Sequence, residues 1–332
     1  MTTSIAVGMS LSAAFLWGSW FVSLKHLGDY PLDGFLMTTL TFSVVFVWVV
    51  GLAVNGRGLA QTITAQFTVD ASRIWVTLLC GMGYVIGLRL SLVVMNLLGL
   101  SLAQPIQSSV NLFGGTTISI LIGGIPAGVS AARLLFATGI LFAAVMMGLL
   151  AGRLRMSVVS GGGSRHGVPQ KPRDLWRGLG LAVVASLFIP AYTLGLSYGL
   201  ASSTQAGGLP VLPFIELLAT GAFSGALLTC GVNLTRRGQW GLVWAARWNI
   251  HRWGVMSGLF HYGGNIIHAF GTAQISAAIA WPLGMTAGLW AQFWGVAYGE
   301  MRGAPLRAYI ALGTAVSLYL LGAYLIAGSL YF

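Results

Sequence analysis

Charge is what this sequence has least of. Asp, Glu, Lys and Arg make up 7% of its 332 residues, where a soluble domain carries about one quarter. So little charge cannot cover a water-facing surface of this size, which excludes a soluble enzyme and a disordered chain. Acidic residues are scarcest, 6 against 17 Lys and Arg, and the formal net charge is +11. Cysteine is nearly absent too. Cys80 and Cys230 stand inside apolar stretches without a CxxC partner and read as small core residues, not as a disulfide or metal site. There is no GxxxxGK[ST] loop, so this chain alone is no ATP-driven pump. HExxH does not occur either. No cofactor and no metal are expected.

What fills the chain is apolar: 56% hydrophobic residues and a mean hydropathy of +0.83. Breaks at charged or Gly/Pro-rich stretches leave ten segments of roughly 20 residues, the length a bilayer requires. They run over 4–24, 34–55, 74–97, 100–123, 131–151, 176–199, 208–232, 253–271, 274–297 and 306–330. The first has no basic region ahead of it and reads as a span rather than a cleaved signal. The expected fold is an all-α membrane protein of ten transmembrane helices. Spans three and four nearly touch, as do spans eight and nine. The polar connection 56–73 has its counterpart at 233–252. An offset of 177 also relates Pro105 to Pro282, Gly18 to Gly195, Gly81 to Gly258 and Gly87 to Gly264. Matched loop lengths point to a five-plus-five repeat. Because five is odd, the second half is inverted relative to the first, as in secondary transporters. The units are residues 1–151, a basic, Gly-rich linker 152–175 containing Gly161-Gly162-Gly163, and residues 176–332.

Lys and Arg placement orients the chain. Thirteen (Lys25, six between spans five and six, four before span eight, Arg302 and Arg307) collect on one side, against Arg57, Arg73 and Arg133 on the other. The crowded side is the cytoplasm, which leaves both termini outside. The expected setting is a bacterial inner (plasma) membrane. The expected partners are a small solute and lipids with anionic headgroups; nucleic acid is not among them, and a homo-oligomer is compatible with the sequence. Trp240, Trp244 and Trp248, spaced by four among arginines, read as an interfacial anchor.

The residues Ala14-Phe15-Leu16-Trp17-Gly18-Ser19 in span one, Met37-Thr38-Thr39-Leu40 in span two and Gly299-Glu300-Met301-Arg302 after span nine resemble the drug/metabolite transporter superfamily, on its glucose/ribose porter side. The first half departs from that pattern, with Gly123-Gly124-Ile125-Pro126 where a second Gly-Glu pair would stand. Many members also have cytoplasmic termini, opposite to the charge count. The resemblance implies a carrier of small organic solutes that works by alternating access. It carries over no binding residues, and substrates across the superfamily range from sugars to amino acids, nucleotide sugars and drugs.

Polar groups inside a bilayer are expensive and are therefore the functional candidates. Arg89 lies about mid-span, and its structural role would be an ion pair with Glu216. Glu216 follows Pro210 and Pro213 and is the candidate for proton coupling, since a buried carboxyl can take up and release a proton each cycle. His261, Asn265 and His268 fall on one helical face at i, i+4 and i+7. Zinc would want a cysteine or second carboxylate at suitable spacing, and none is there. Gln104, Gln107, Ser108 and Asn111 form a similar face in span four, and its counterpart in span nine carries Trp281 beside Pro282. Trp17, next to Gly18, completes the set. Amides that donate and accept, together with ring faces, suit a neutral, hydroxyl-rich solute, although amides also glue helices together.

These residues predict a secondary transporter of a small polar, neutral organic solute, sugar-like and coupled to protons through Glu216, and not an enzyme. A drug, metabolite or amino-acid exporter would use the same tryptophans for stacking or cation–π contact. An intramembrane enzyme for lipid-linked phosphate substrates would instead use Arg89 on the phosphate and a histidine as acid or base. A lipid-binding scaffold without turnover is a third alternative.

Overall fold

In lipid a backbone must satisfy its own hydrogen bonds, which leaves a chain of this composition helices to build with. The computed structural model describes residues 2–98, 100–159, 172–188 and 190–331. Among these, regular structure is helix apart from two isolated bridges, Leu200 with Leu209 and Ser202 with Gln205. The first half contains α1 (Thr3–Ser19), which tightens into a 3₁₀ stretch over Trp20–His26, then α2 (Leu32–Asn55), α3 (Gly58–Leu98), α4 (Leu100–Ile118) and α5 (Ala131–Val159). The second contains α6 (Pro172–Phe188), α7 (Ala191–Leu194), α8 (Val211–Ala226), α9 (Val232–Arg236), α10 (Trp240–Trp244), α11 (Trp248–Ile275), α12 (Ala277–Gly284), α13 (Ala287–Ala297) and α14 (Leu306–Gly328).

Among the described residues, six helical stretches are long and apolar enough to cross a membrane: Thr3–His26, Leu32–Asn55, Gly58–Ser91, Ala131–Arg155, Val211–Arg236 and Leu306–Gly328. The chain is therefore an all-α membrane protein. The other four expected segments are helical as α4, α6–α7, α11 and α12–α13, but are shorter, interrupted or polar. Pro190, which has no N–H to donate, separates α6 from α7, and residues 285–286 separate α12 from α13. Two polar connections expected between spans contain helix: α3 begins at Gly58 and bends at Asp70 (φ −156°, ψ 85°), and α10 lies between α9 and α11. Helix also covers the two ends of the expected linker, 152–159 and 172–175, on either side of 160–171. That segment, with Gly161 to Gly163, lies outside the described residues.

The most extensive helix contacts cross from one half of the sequence to the other. The helix α5 packs along α14, α1 along α11 and α13, α3 along α8 and α6, and α2 against α11 and α8. Small residues permit this closeness. A Cβ on Gly81 of α3 would overlap the carbonyl oxygen of Leu218 in α8, and one on Gly258 of α11 would stand 2.7 Å from that of Thr39 in α2.

Charged groups lie at the two ends of the bundle. At the end where α5 finishes, Glu300 pairs with Lys25 and with Arg155 at 3.4 Å. This is termed the basic end below. At the opposite end Arg73 bonds Asp70 at 3.2 Å, donates to the carbonyl of Tyr198 and covers the Tyr198 ring at 4.1 Å. There, Gln205 Nε2 donates to Ile122 O at 2.8 Å.

Candidate functional site

Polar and aromatic side chains from six helical segments meet in the middle of the bundle. Span one contributes Trp17, α3 Tyr84, α4 Asn111, α7 Tyr192, α11 His261, Asn265 and His268, and α12 Trp281. Spacing along α11 explains its share: i, i+4 and i+7 fall on one face. Trp17 Nε1 donates to Asn265 Oδ1 at 2.9 Å and to the His261 carbonyl at 3.2 Å. Tyr84 bonds His261 Nε2 through its hydroxyl. Trp281 Nε1 donates to Asn111 O at 3.2 Å. His268 Nε2 donates to Ala280 O at 2.9 Å, which leaves Nδ1 to accept from Thr272 Oγ1 at 3.4 Å.

The rings pack around this network, Trp17 edge to face on Tyr192 and the other pairs tilted. Trp17 lies 4.7 Å from His268, 5.7 Å from Tyr192 and 6.2 Å from Trp281, and Tyr192 is 5.8 Å from Trp281. These separations fall within the range for favourable aromatic pairs. Four polar atoms in or beside the cluster are nonetheless buried without a hydrogen-bond partner: Asn265 Nδ2, Asn111 Oδ1, Tyr192 OH and Tyr262 OH. Each such group costs roughly 1–3 kcal/mol. One donor, one acceptor-only oxygen and two hydroxyls able to do either are thus unfilled, among ring faces, in a neutral setting. Such a box can hold a hydroxyl-bearing or amide-bearing molecule if the rings part.

The backbone around the box is irregular. Pro282 lies within α12, and the helix stops two residues later. Ser276, joining α11 to α12, is fully buried with φ 71°, a left-handed conformation unusual for a non-glycine residue. Gly264 and Gly284 both face the Trp17 ring, where a Cβ would come within 2.7 Å of it.

Of the candidates named from sequence, Trp17, Asn111, His261, Asn265, His268 and Trp281 come together. Gln107 does not: it is buried and donates to Ser91 O at 3.1 Å, tying α4 to α3. The side chain of Gln104 lies outside the described residues. Arg89 corrects the expectation of a midplane pair with Glu216. Its Nε and Nη2 bond Asp33 Oδ1 and Oδ2 at 2.8 and 3.3 Å, with Asn233 Nδ2 donating to the same carboxylate. The reason is position: Asp33 lies in the first turn of α2, at the basic end, level with the last turns of α3. Glu216 is fully buried elsewhere, against Gly51 of α2, and neither of its oxygens has a partner. The candidate groups therefore lie in three places: the aromatic box, the Arg89–Asp33 pair and the Glu216 carboxyl.

Two residues of the box, Tyr84 and Tyr192, were missed from sequence. Tyrosine suits both a core and a membrane interface, so neither carries a signal of its own; the nearest hint is Pro190, two residues before Tyr192.

No family model and no curated protein matches this chain. Six chains of solved structures do. One, a protein crystal structure, is 18% identical and covers 96% of this chain and 94% of its own length with a TM-score of 0.53. That likeness concerns the fold alone.

Proposed function

We propose that this protein is a secondary transporter of a small, neutral, polar organic solute, and that the aromatic box is its substrate site in a closed state. The observation that carries the proposal is the box itself: unfilled hydrogen-bonding groups among aromatic faces at the centre of a membrane bundle, beside a broken helix. Broken helices at the midplane are how carriers expose backbone to a solute.

The pattern of helix contacts supports two inverted five-helix halves. Exchanging each span for its counterpart in the other half turns α1 with α11 into α6 with α3, and α3 with α8 into α11 with α2. It likewise turns α4 with α5 into α12 with α14, while α5 with α14 and α2 with α8 map onto themselves. All of these contacts occur. Such an arrangement lets the halves rock about the box. The resemblance to the drug/metabolite transporter superfamily points the same way, with a sugar-like solute as the first choice and the bacterial inner membrane as the setting. Glu216 remains the proposed proton carrier. An ionised carboxylate without a partner is costly to bury, whereas a proton taken up and released in turn makes the site useful.

The intramembrane-enzyme alternative is less well supported, because Arg89 is committed to Asp33 and the histidines sit in the box. The test is counterflow of D-glucose, D-ribose and a panel of amino acids in proteoliposomes. A tenfold loss of apparent affinity is expected for Trp281→Ala, since a stacked ring is worth about 0.5–1.5 kcal/mol beyond its area. Unchanged affinity in Trp281→Ala and Asn265→Ala would remove the box from the transport path.

A further inference from the structure

A second cavity, of about 270 Å³, runs between α5, α13 and α14 and touches α4 at Ser108. It is separate from the aromatic box. Its mouth at the basic end is framed by the Arg155–Glu300 pair, and its deep end by Gly288 and Tyr319, about halfway along α13 and α14. Liquid water takes about 30 Å³ per molecule, so the space matches roughly nine waters, or one monosaccharide-sized molecule.

The walls are built to admit something polar. Gln292 of α13 lines the cavity, and its Oε1 is buried with no hydrogen-bond partner. Its amide nitrogen lies across Gly148 of α5, where a Cβ would overlap it, so the absence of a side chain at Gly148 is what makes room for the Gln292 amide in the wall. Further up the same wall, a Cβ on Gly152 would meet nothing within 4 Å. Ser108 adds a hydroxyl from the polar face of α4. Arg155 and Glu300 are the charged residues of the lining and pair with each other, with Lys25 on the other carboxylate oxygen, and the unfilled group of the wall, Gln292 Oε1, is an acceptor that takes a hydrogen-bond donor.

We propose that this cleft is a solute site in its own right, taking a neutral hydroxylated molecule whose O–H donates to Gln292 Oε1 and whose ring lies along the Gly148–Gly152 wall. Only the solute class rests on the transporter proposal; the site rests on the cavity and the empty acceptor. Because it reaches from the basic end towards the break between α12 and α13, it is placed to hand a solute to, or receive one from, the box.

The test is equilibrium binding of radiolabelled D-glucose and D-ribose to the purified full chain in nanodiscs. Gly152→Phe fills the cleft from a position with open space around it, and Gln292→Leu removes the acceptor at similar volume. Gly139→Phe is the control, on the same helix and also open but away from the cleft. Expected are at least a tenfold weakening for Gly152→Phe and about tenfold for Gln292→Leu, with Gly139→Phe unchanged. Trp281→Ala is expected to halve the binding stoichiometry and leave the cleft component intact. Wild-type binding in both cleft variants, as folded as the control by melting temperature, overturns the proposal. Absence of saturable binding of either sugar to the wild type also overturns it, even if counterflow finds another substrate. Cleft-dependent binding in a protein that shows no counterflow of any solute would keep the site and discard the transporter.

Discussion

Arg89 and Asp33 offer a direct measure of whether an intramembrane charge is there for structure or for substrate. The pair is bidentate at 2.8 and 3.3 Å, and the side chains are only 21% and 16% exposed. Removing one partner of a fully buried pair costs about 3–5 kcal/mol, because the other charge is stranded. Here the partial exposure and the Asn233 amide soften that loss, so Arg89→Met and Asp33→Leu are each expected to cost about 2–3 kcal/mol. The double variant strands no charge. It is expected to recover most of the loss, since replacing both members by apolar groups is often neutral. Thermal melting of the purified protein, followed by size-exclusion chromatography, ranks the four proteins. The double variant should melt above both singles and, in proteoliposomes, retain counterflow with unaltered apparent affinity. Additive losses in the double variant would refute the pairing argument. A double variant that is stable but no longer binds solute would refute the assignment of Arg89 to structure.

Glu216→Gln separates coupling from binding. With no ionic partner to lose, the variant should be at least as stable as the wild type and keep counterflow, while losing proton-driven accumulation; retained uphill accumulation would rule out this carboxyl as the proton carrier. Gly258→Ala forces a methyl to 2.7 Å from the Thr39 carbonyl and is expected to cost about 1–3 kcal/mol in detergent melting. Gly139→Ala, in open space on α5, should be neutral or stabilising by up to about 1 kcal/mol; equal effects at the two glycines would show that α11 and α2 do not cross so closely.

Membrane character and the helices were legible in the sequence because a bilayer leaves few alternatives to an apolar chain. Six residues of the box were legible for the same reason: Asn265 or His268 in an apolar run has to face something other than lipid. What could not be read was which polar groups meet. Asp33 lies one residue before the segment assigned to span two, so it was not counted among intramembrane charges, and its partner is 56 residues away. Opposite charge alone suggests Glu216 as the partner of Arg89, whereas depth along the bundle decides, and these two sit at different levels. The amides of α4 show the limit most clearly. Gln107 and Asn111 share one helical face, yet one side chain fastens α3 and the other reaches Met285 Sδ at 3.8 Å beside the box.

The interleaving of the two halves has a consequence for biosynthesis. The most extensive partner of α5 is α14, which leaves the ribosome long after it, and α1 waits for α11 and α13. Early helices must therefore remain in the membrane as individually stable but unassembled spans through most of translation, their glycine-lined faces covered by lipid in the interim. Chains interrupted before α14 would be left with α5 unmatched. The arrival of α14, rather than the completion of the first half, is what commits this protein to its fold.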